Sequence, residues 1–163
     1  MILTKPLSVE IWPLSIEAGV LSLLGGQSRT LAQPENAKSI LESARLSAEE
    51  LSHTYFIHST SWREEESSVV LTFVALCDPQ PLVNSVSISS LLDSQTRPTS
   101  DSLDYPELTS LDVLNHALQH LAFLLHHDQT FHDQFAAEWL SSLNIFAPKP
   151  AGSIGPVQMT HHK

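Results

Sequence analysis

Cysteine is nearly absent. Cys77 is the single one in 163 residues, so no internal disulfide can form, and the chain suits a reducing compartment. Bases are also scarce: 8 Lys and Arg stand against 18 Asp and Glu, a net charge of −10. Such a surface repels phosphate backbones and anionic headgroups, which sets aside nucleic acid and membrane surfaces as partners. It suits solubility, and it suits a basic protein partner. No apolar run approaches the roughly 18–20 residues of a membrane span. The start, Met1 to Pro6, has one early base and no small-residue cleavage pattern, so no signal peptide is expected and the expected location is the cytoplasm. Glycine is sparse, five in all. The Gly25-Gly26 pair reads as a turn and not as a phosphate loop, because no lysine follows and the spaced glycines are missing.

What is present is apolar patterning, with 42% of residues hydrophobic. That is enough for one domain with a real core, expected over residues 1–150, followed by a flexible tail at 151–163 that holds Gly152, Gly155 and His161-His162. Leu7, Val9 and Ile11 alternate with polar neighbours and predict a short strand that Pro13 ends. Ile16 to Leu24 reads as a second strand or a buried helix turn. Pro34 to Arg45 predicts a helix, with Pro34 at its first position and Ala37, Ile40, Leu41 and Ala44 on one stripe. Ser47 with Glu50 fits a capping box for one further turn to Leu51. His53–Trp62 and Val69–Cys77 predict two strands joined by Arg63–Ser68, a long hairpin. The second strand is apolar on both faces and is expected to be central. Val86 and Ile88 suggest a short strand, and Ser94 to Asp104 a loop. A helix is expected from Thr109, capped with Asp112, to His127, with Leu111, Leu114, Leu118, Leu121, Ala122 and Leu125 on one face. Asp128 breaks it. Thr130 and Asp133 repeat the capping pattern before a helix carrying Phe131, Phe135, Trp139, Leu140 and Leu143.

Nine histidines are the unusual feature. At 100° per residue, His116, His120 and His127 fall within a band of about 40° beside the leucine face. A pair at i, i+4 can share one metal between two imidazoles, with Asp112 one turn away as an oxygen donor. The simpler reading is structural, since histidine suits a core boundary and Asp112 complements the helix dipole. The metalloprotease pattern needs a glutamate straight after the first histidine, where Ala117 stands. On His53–Trp62 strict alternation places His58, Thr60 and Trp62 on one face, which can line a pocket with His116 and His120 packed across it. His58 and Ser59 point to opposite faces and make a poor base and nucleophile pair. Cys77 reads as inert packing, and Glu64-Glu65-Glu66 as a solvated hairpin tip.

The run His58-Ser59-Thr60-Ser61-Trp62-Arg63 with Val70-Leu71-Thr72-Phe73, and the run from His116 to Leu124, resemble a group of small uncharacterised bacterial proteins over residues 50–143. The resemblance implies no substrate. The expected fold is α+β: an antiparallel sheet built around the long hairpin, with helices packed on it. The expected function is a small soluble non-enzymatic binding or accessory protein with a protein partner, no cofactor and no tightly held metal. The alternative is a small, metal-assisted enzyme whose site lies between the His58 strand and the His116/His120 helix. An exposed apolar patch distinguishes the first, and a pocket of converging polar groups the second.

Overall fold

A computed structural model describes residues 5–24, 28–32, 54–79, 85–89 and 110–154. The helix expected at Pro34–Arg45, the turn at Ser47–Leu51, the Gly25-Gly26 pair and the Ser94–Asp104 loop lie outside the described residues. Seven strands join one sheet: β1 (Leu7–Glu17), β2 (Val20–Leu24), β3 (Ser28–Ala32), β4 (Thr54–Glu64), β5 (Val69–Cys77), β6 (Ser85–Ser87) and β7 (Gly152–Ser153). Their order is β6-β2-β1-β5-β4-β7, and β3 also pairs with β1. Two further elements, α1 (Ser110–His127) and α2 (Gln129–Leu143), pack together on one sheet face.

The fold is α+β, but the sheet is mixed and not antiparallel throughout. β4 and β5 form the antiparallel hairpin. β1, however, runs parallel to β5, from Leu7 opposite Val69 to Leu14 opposite Leu76, and β7 runs parallel to β4. Apolar alternation reports which face is buried and is blind to strand direction, so the parallel pairs leave no mark in it. β5 is central because both its faces are needed. Val74 and Leu76 sit under the helices with Trp12 and Leu14, while Phe73, Ala75 and Cys77 join Val9 and Ile11 in a second cluster on the other face.

Pro13 does not end β1, which continues to Glu17. On the outer edge of β1, β3 pairs with Leu7–Ile11 and β2 with Leu14–Glu17. Pro13 falls in the gap between these partners, where a missing N–H interrupts no ladder on that edge. The segment Ile16–Leu24 is accordingly two pieces, split by a tight turn at Ala18 and Gly19, whose φ values are 50° and 77°. Two successive positive φ values make the hairpin turn whose twist suits antiparallel strands, and glycine takes the second without strain. The β4–β5 connection is shorter than expected. Arg63 and Glu64 belong to β4, and the Glu65 N–H donates to the Ser68 carbonyl at 2.8 Å.

α1 follows its leucine stripe: Leu114, Leu118 and Leu121 are fully buried. Replacing Leu121 with alanine is expected to cost about 2–5 kcal/mol, from lost transfer energy plus a cavity. Chemical denaturation that shows no loss would mean the stripe faces away from the sheet. At the α1–α2 junction Asp128 caps the second helix; its carboxylate accepts the Phe131 N–H at 2.9 Å. The cap is therefore Asp128 and not Thr130, and the residue that stops one helix starts the next. Among the described residues no helix is long and apolar enough to cross a membrane. Of residues 151–163, Ala151–Ile154 are described. Gly152 and Ser153 pair with Ser61 and Trp62, and the Ile154 N–H donates to the Trp62 carbonyl at 2.8 Å.

Candidate functional site

The site region is shaped by an irregularity in β4. Opposite Phe73 and Thr72 stand Ser59 and Ser61, so Thr60 is an extra residue, a β-bulge. Before the bulge His58 lies on the helix side, opposite Val74. Thr60 itself is fully buried, and its hydroxyl donates to the Thr72 carbonyl at 3.3 Å. After the bulge the alternation is inverted. Trp62 pairs with Leu71, away from the helices, and is 48% exposed. The structure thus brings His58 and Thr60 toward α1 and sends Trp62 to the other face. A single inserted residue does this, because side-chain direction alternates with period two.

His116 and His120 face β4 from α1 and are 5% and 3% exposed. The His58 and His120 rings stack, with centroids 5.2 Å apart and planes inclined by 16°. Phe56 extends the stack beyond His58, and Phe123 and then His127 extend it beyond His120. His120 Nδ1 lies 3.2 Å from the Lys149 carbonyl. A carbonyl can only accept, so Nδ1 carries the proton and Nε2 presents a lone pair. A ring N–H of His116 similarly serves the Thr60 carbonyl. Both Nε2 atoms are buried and have no hydrogen-bond partner. Burial lowers the basicity of all three rings below the ordinary imidazole value. The adjacent His120 lowers His58 further, and Lys149 does the same to His116. Among the described residues no three His, Cys, Asp or Glu side chains are arranged to hold a metal ion.

The same sheet face holds a polar network that alternation alone did not reveal. Arg63 Nη1 and Nη2 donate to the two carboxylate oxygens of Glu10 at 2.7 and 2.9 Å. The Thr72 hydroxyl donates to Glu10 at 3.0 Å, and Arg63 Nε donates to Glu65 at 3.1 Å. Burial alone would raise the Glu10 carboxyl. The Arg63 guanidinium, by hydrogen bonding and by charge, together with Thr72, outweighs this and holds it below the usual carboxylate value. A sign of it was present in the sequence: Glu10 shares its strand parity with Trp12, Leu14 and Ile16, all apolar. Within the described residues the Arg63 guanidinium is engaged by Glu10, Thr72 and Glu65.

Among the described residues, open clefts lie elsewhere. One, polar, sits at the α1–α2 junction between His126, Asp128 and His132. Another is mainly apolar, with a cavity of about 220 Å³. It lies between the start of β2 (Val20, Leu21), Ile88, and the end of α2 (Ser142) with the turn after it (Ile145, Phe146). The Ser142 hydroxyl ties these walls together by donating to the Gly19 carbonyl at 3.1 Å. No family model and no curated protein matches this chain.

Proposed function

We propose that this chain is a non-enzymatic binding protein that receives a partner's apolar side chain in the cleft between β2 and the end of α2. The observation that carries the reading is the cleft's apolar rim, where Ile145 is 75% and Val20 49% exposed. Apolar side chains held in water beside a concavity mark a contact surface. The cavity is smaller than the roughly 300–1,000 Å³ of small-molecule sites, which suits one large side chain from a protein segment. Exposed Glu17 precedes the turn, exposed Glu138 lies one turn before Ser142, and the whole chain carries −10. The segment is therefore basic around its apolar anchor.

The alternative, an enzyme acting at His58, His116 and His120, draws on the two bare Nε2 lone pairs. Access weighs against it, since a substrate must reach atoms that are now buried. A displayed random-peptide library panned on the whole chain tests the docking reading. Peptides with one large apolar residue flanked by Lys or Arg are expected to be enriched, and Ile145→Asp, at an exposed position, should abolish their binding with no loss of folding. Enrichment that survives Ile145→Asp, or no enrichment, would refute it.

A further inference from the structure

The segment that follows α2 crosses the histidine cluster. At one end the Lys149 N–H donates to the Gln119 carbonyl at 3.1 Å, while the Lys149 carbonyl accepts from His120 Nδ1. At the other end Gly152–Ile154 is held to β4 at Ser61 and Trp62. Residues 147–151, leading into and along this segment, are exposed. This strap has few buried contacts, so it is the covering that opens at least cost.

We propose that Lys149–Ile154 is an acid-released strap: it closes over His58, His116 and His120 at neutral pH and lifts when these imidazoles gain protons. The geometry supplies the force. A proton added to His116 or His120 must go to Nε2, where no acceptor waits. A charge on His120 faces the His58 ring it stacks on, and a charge on His116 faces Lys149 of the strap itself. The groups around the cluster come from every side. Lys149 approaches from the strap, and the imidazoles face one another from β4 and α1. Asp128 at the α1–α2 junction favours a charge on His58. Asp112 stands one turn before His116 on α1. Glu10 and Arg63, further along the sheet face, neutralise each other. Among the described residues, the positive groups at the cluster outnumber what these acids offset.

The direction with pH follows. The closed form binds these protons less well than the open form, in which the rings return toward the ordinary imidazole value of about 6.5. Closure is therefore complete above that value and weakens as pH falls through it. The test is amide hydrogen exchange of the whole chain at pH 7.5 and 5.5, corrected for the intrinsic pH dependence of exchange. Protection of residues 149–154 is expected to fall several-fold, up to about tenfold for each imidazole that is free to protonate near 6.5 in the open form, while protection of α2 stays the same. His116→Gln, and independently the exposed-site variant Lys149→Met, should each flatten that dependence. Equal strap protection at both pH values would overturn the proposal. So would parallel loss in the strap and α2, which is ordinary acid unfolding, or a wild-type dependence retained in both variants.

Discussion

Replacing Arg63 with methionine is expected to destabilise the fold by about 3–5 kcal/mol, the range for breaking a buried ion pair by removing one partner. Arg63 and Glu10 have side chains 8% and 1% exposed and share two hydrogen bonds. Without the guanidinium, the Glu10 carboxylate keeps the cost of burial and loses both Arg63 hydrogen bonds and the charge behind them. The partners are not equivalent. Arg63 Nη2 also lies 3.0 Å from Glu65, so Glu10→Met leaves the cation partly served and should cost less. The double variant should recover most of the loss, since two apolar residues of similar size remove both desolvation penalties. The pH response supplies a second check. In the wild type the lowered Glu10 carboxyl stabilises the fold above the unfolded carboxylate value, and this is lost as pH falls through the folded one. In Arg63→Met the largest influence lowering the carboxyl is gone, so it takes up a proton more readily and the variant's deficit should shrink on mild acidification. Urea denaturation measures all of these; a single variant within about 1 kcal/mol of wild type would mean that the pair is not buried as described.

Trp139→Ala is expected to lose about 3–5 kcal/mol, the range for removing a buried aromatic. Trp139 is fully buried on α2, and its indole N–H donates to the Tyr55 hydroxyl of β4 at 3.1 Å. The side chain thus fixes the second helix to the sheet edge by packing and by direction. Trp139→Phe separates the two contributions. It keeps most of the apolar volume and leaves Tyr55, which is 43% exposed, free to bond water. Its cost should be nearer the 0.5–1.5 kcal/mol of one hydrogen bond. If Trp139→Phe loses as much as Trp139→Ala, the hydrogen bond governs the site and packing does not.

Both residues show where sequence reasoning reaches its limit. Trp139 was legible because helical period aligns it with Phe131, Phe135 and Leu143, and the central place of β5 was legible because it has no polar face. His58, His116 and His120 could be put on facing surfaces, since β4 alternates regularly from Phe56 to Ser59 and α1 repeats every turn. Trp62 was misplaced for one local reason, the extra residue at Thr60, and nothing in the run Ser59-Thr60-Ser61 distinguishes a bulge from a regular strand. Arg63 and Glu10 were hidden by distance: they are 53 positions apart, and only the parallel pairing of β1 with β5 brings Glu10 beside Thr72 and so within reach of Arg63. Pairing direction is decided by how the whole chain closes, and no window of residues contains it.

That parallel pairing also governs how the protein assembles. The β1–β2 and β4–β5 hairpins close over short turns, and such units form in about 1–10 μs. Joining them through β1 and β5 brings together residues such as Glu10 and Thr72, 62 positions apart. The chain entropy of closing that loop is lost before any contact offsets it, so docking of one hairpin on the other is the slow step of folding. Until then β1 carries apolar side chains on both faces, Val9 and Ile11 on one and Trp12 and Leu14 on the other, beside an unpaired edge. During synthesis it emerges well before β5. In that interval the β1–β2 hairpin is the part of the nascent chain most prone to pair with another copy of itself, and the part a chaperone has most reason to cover.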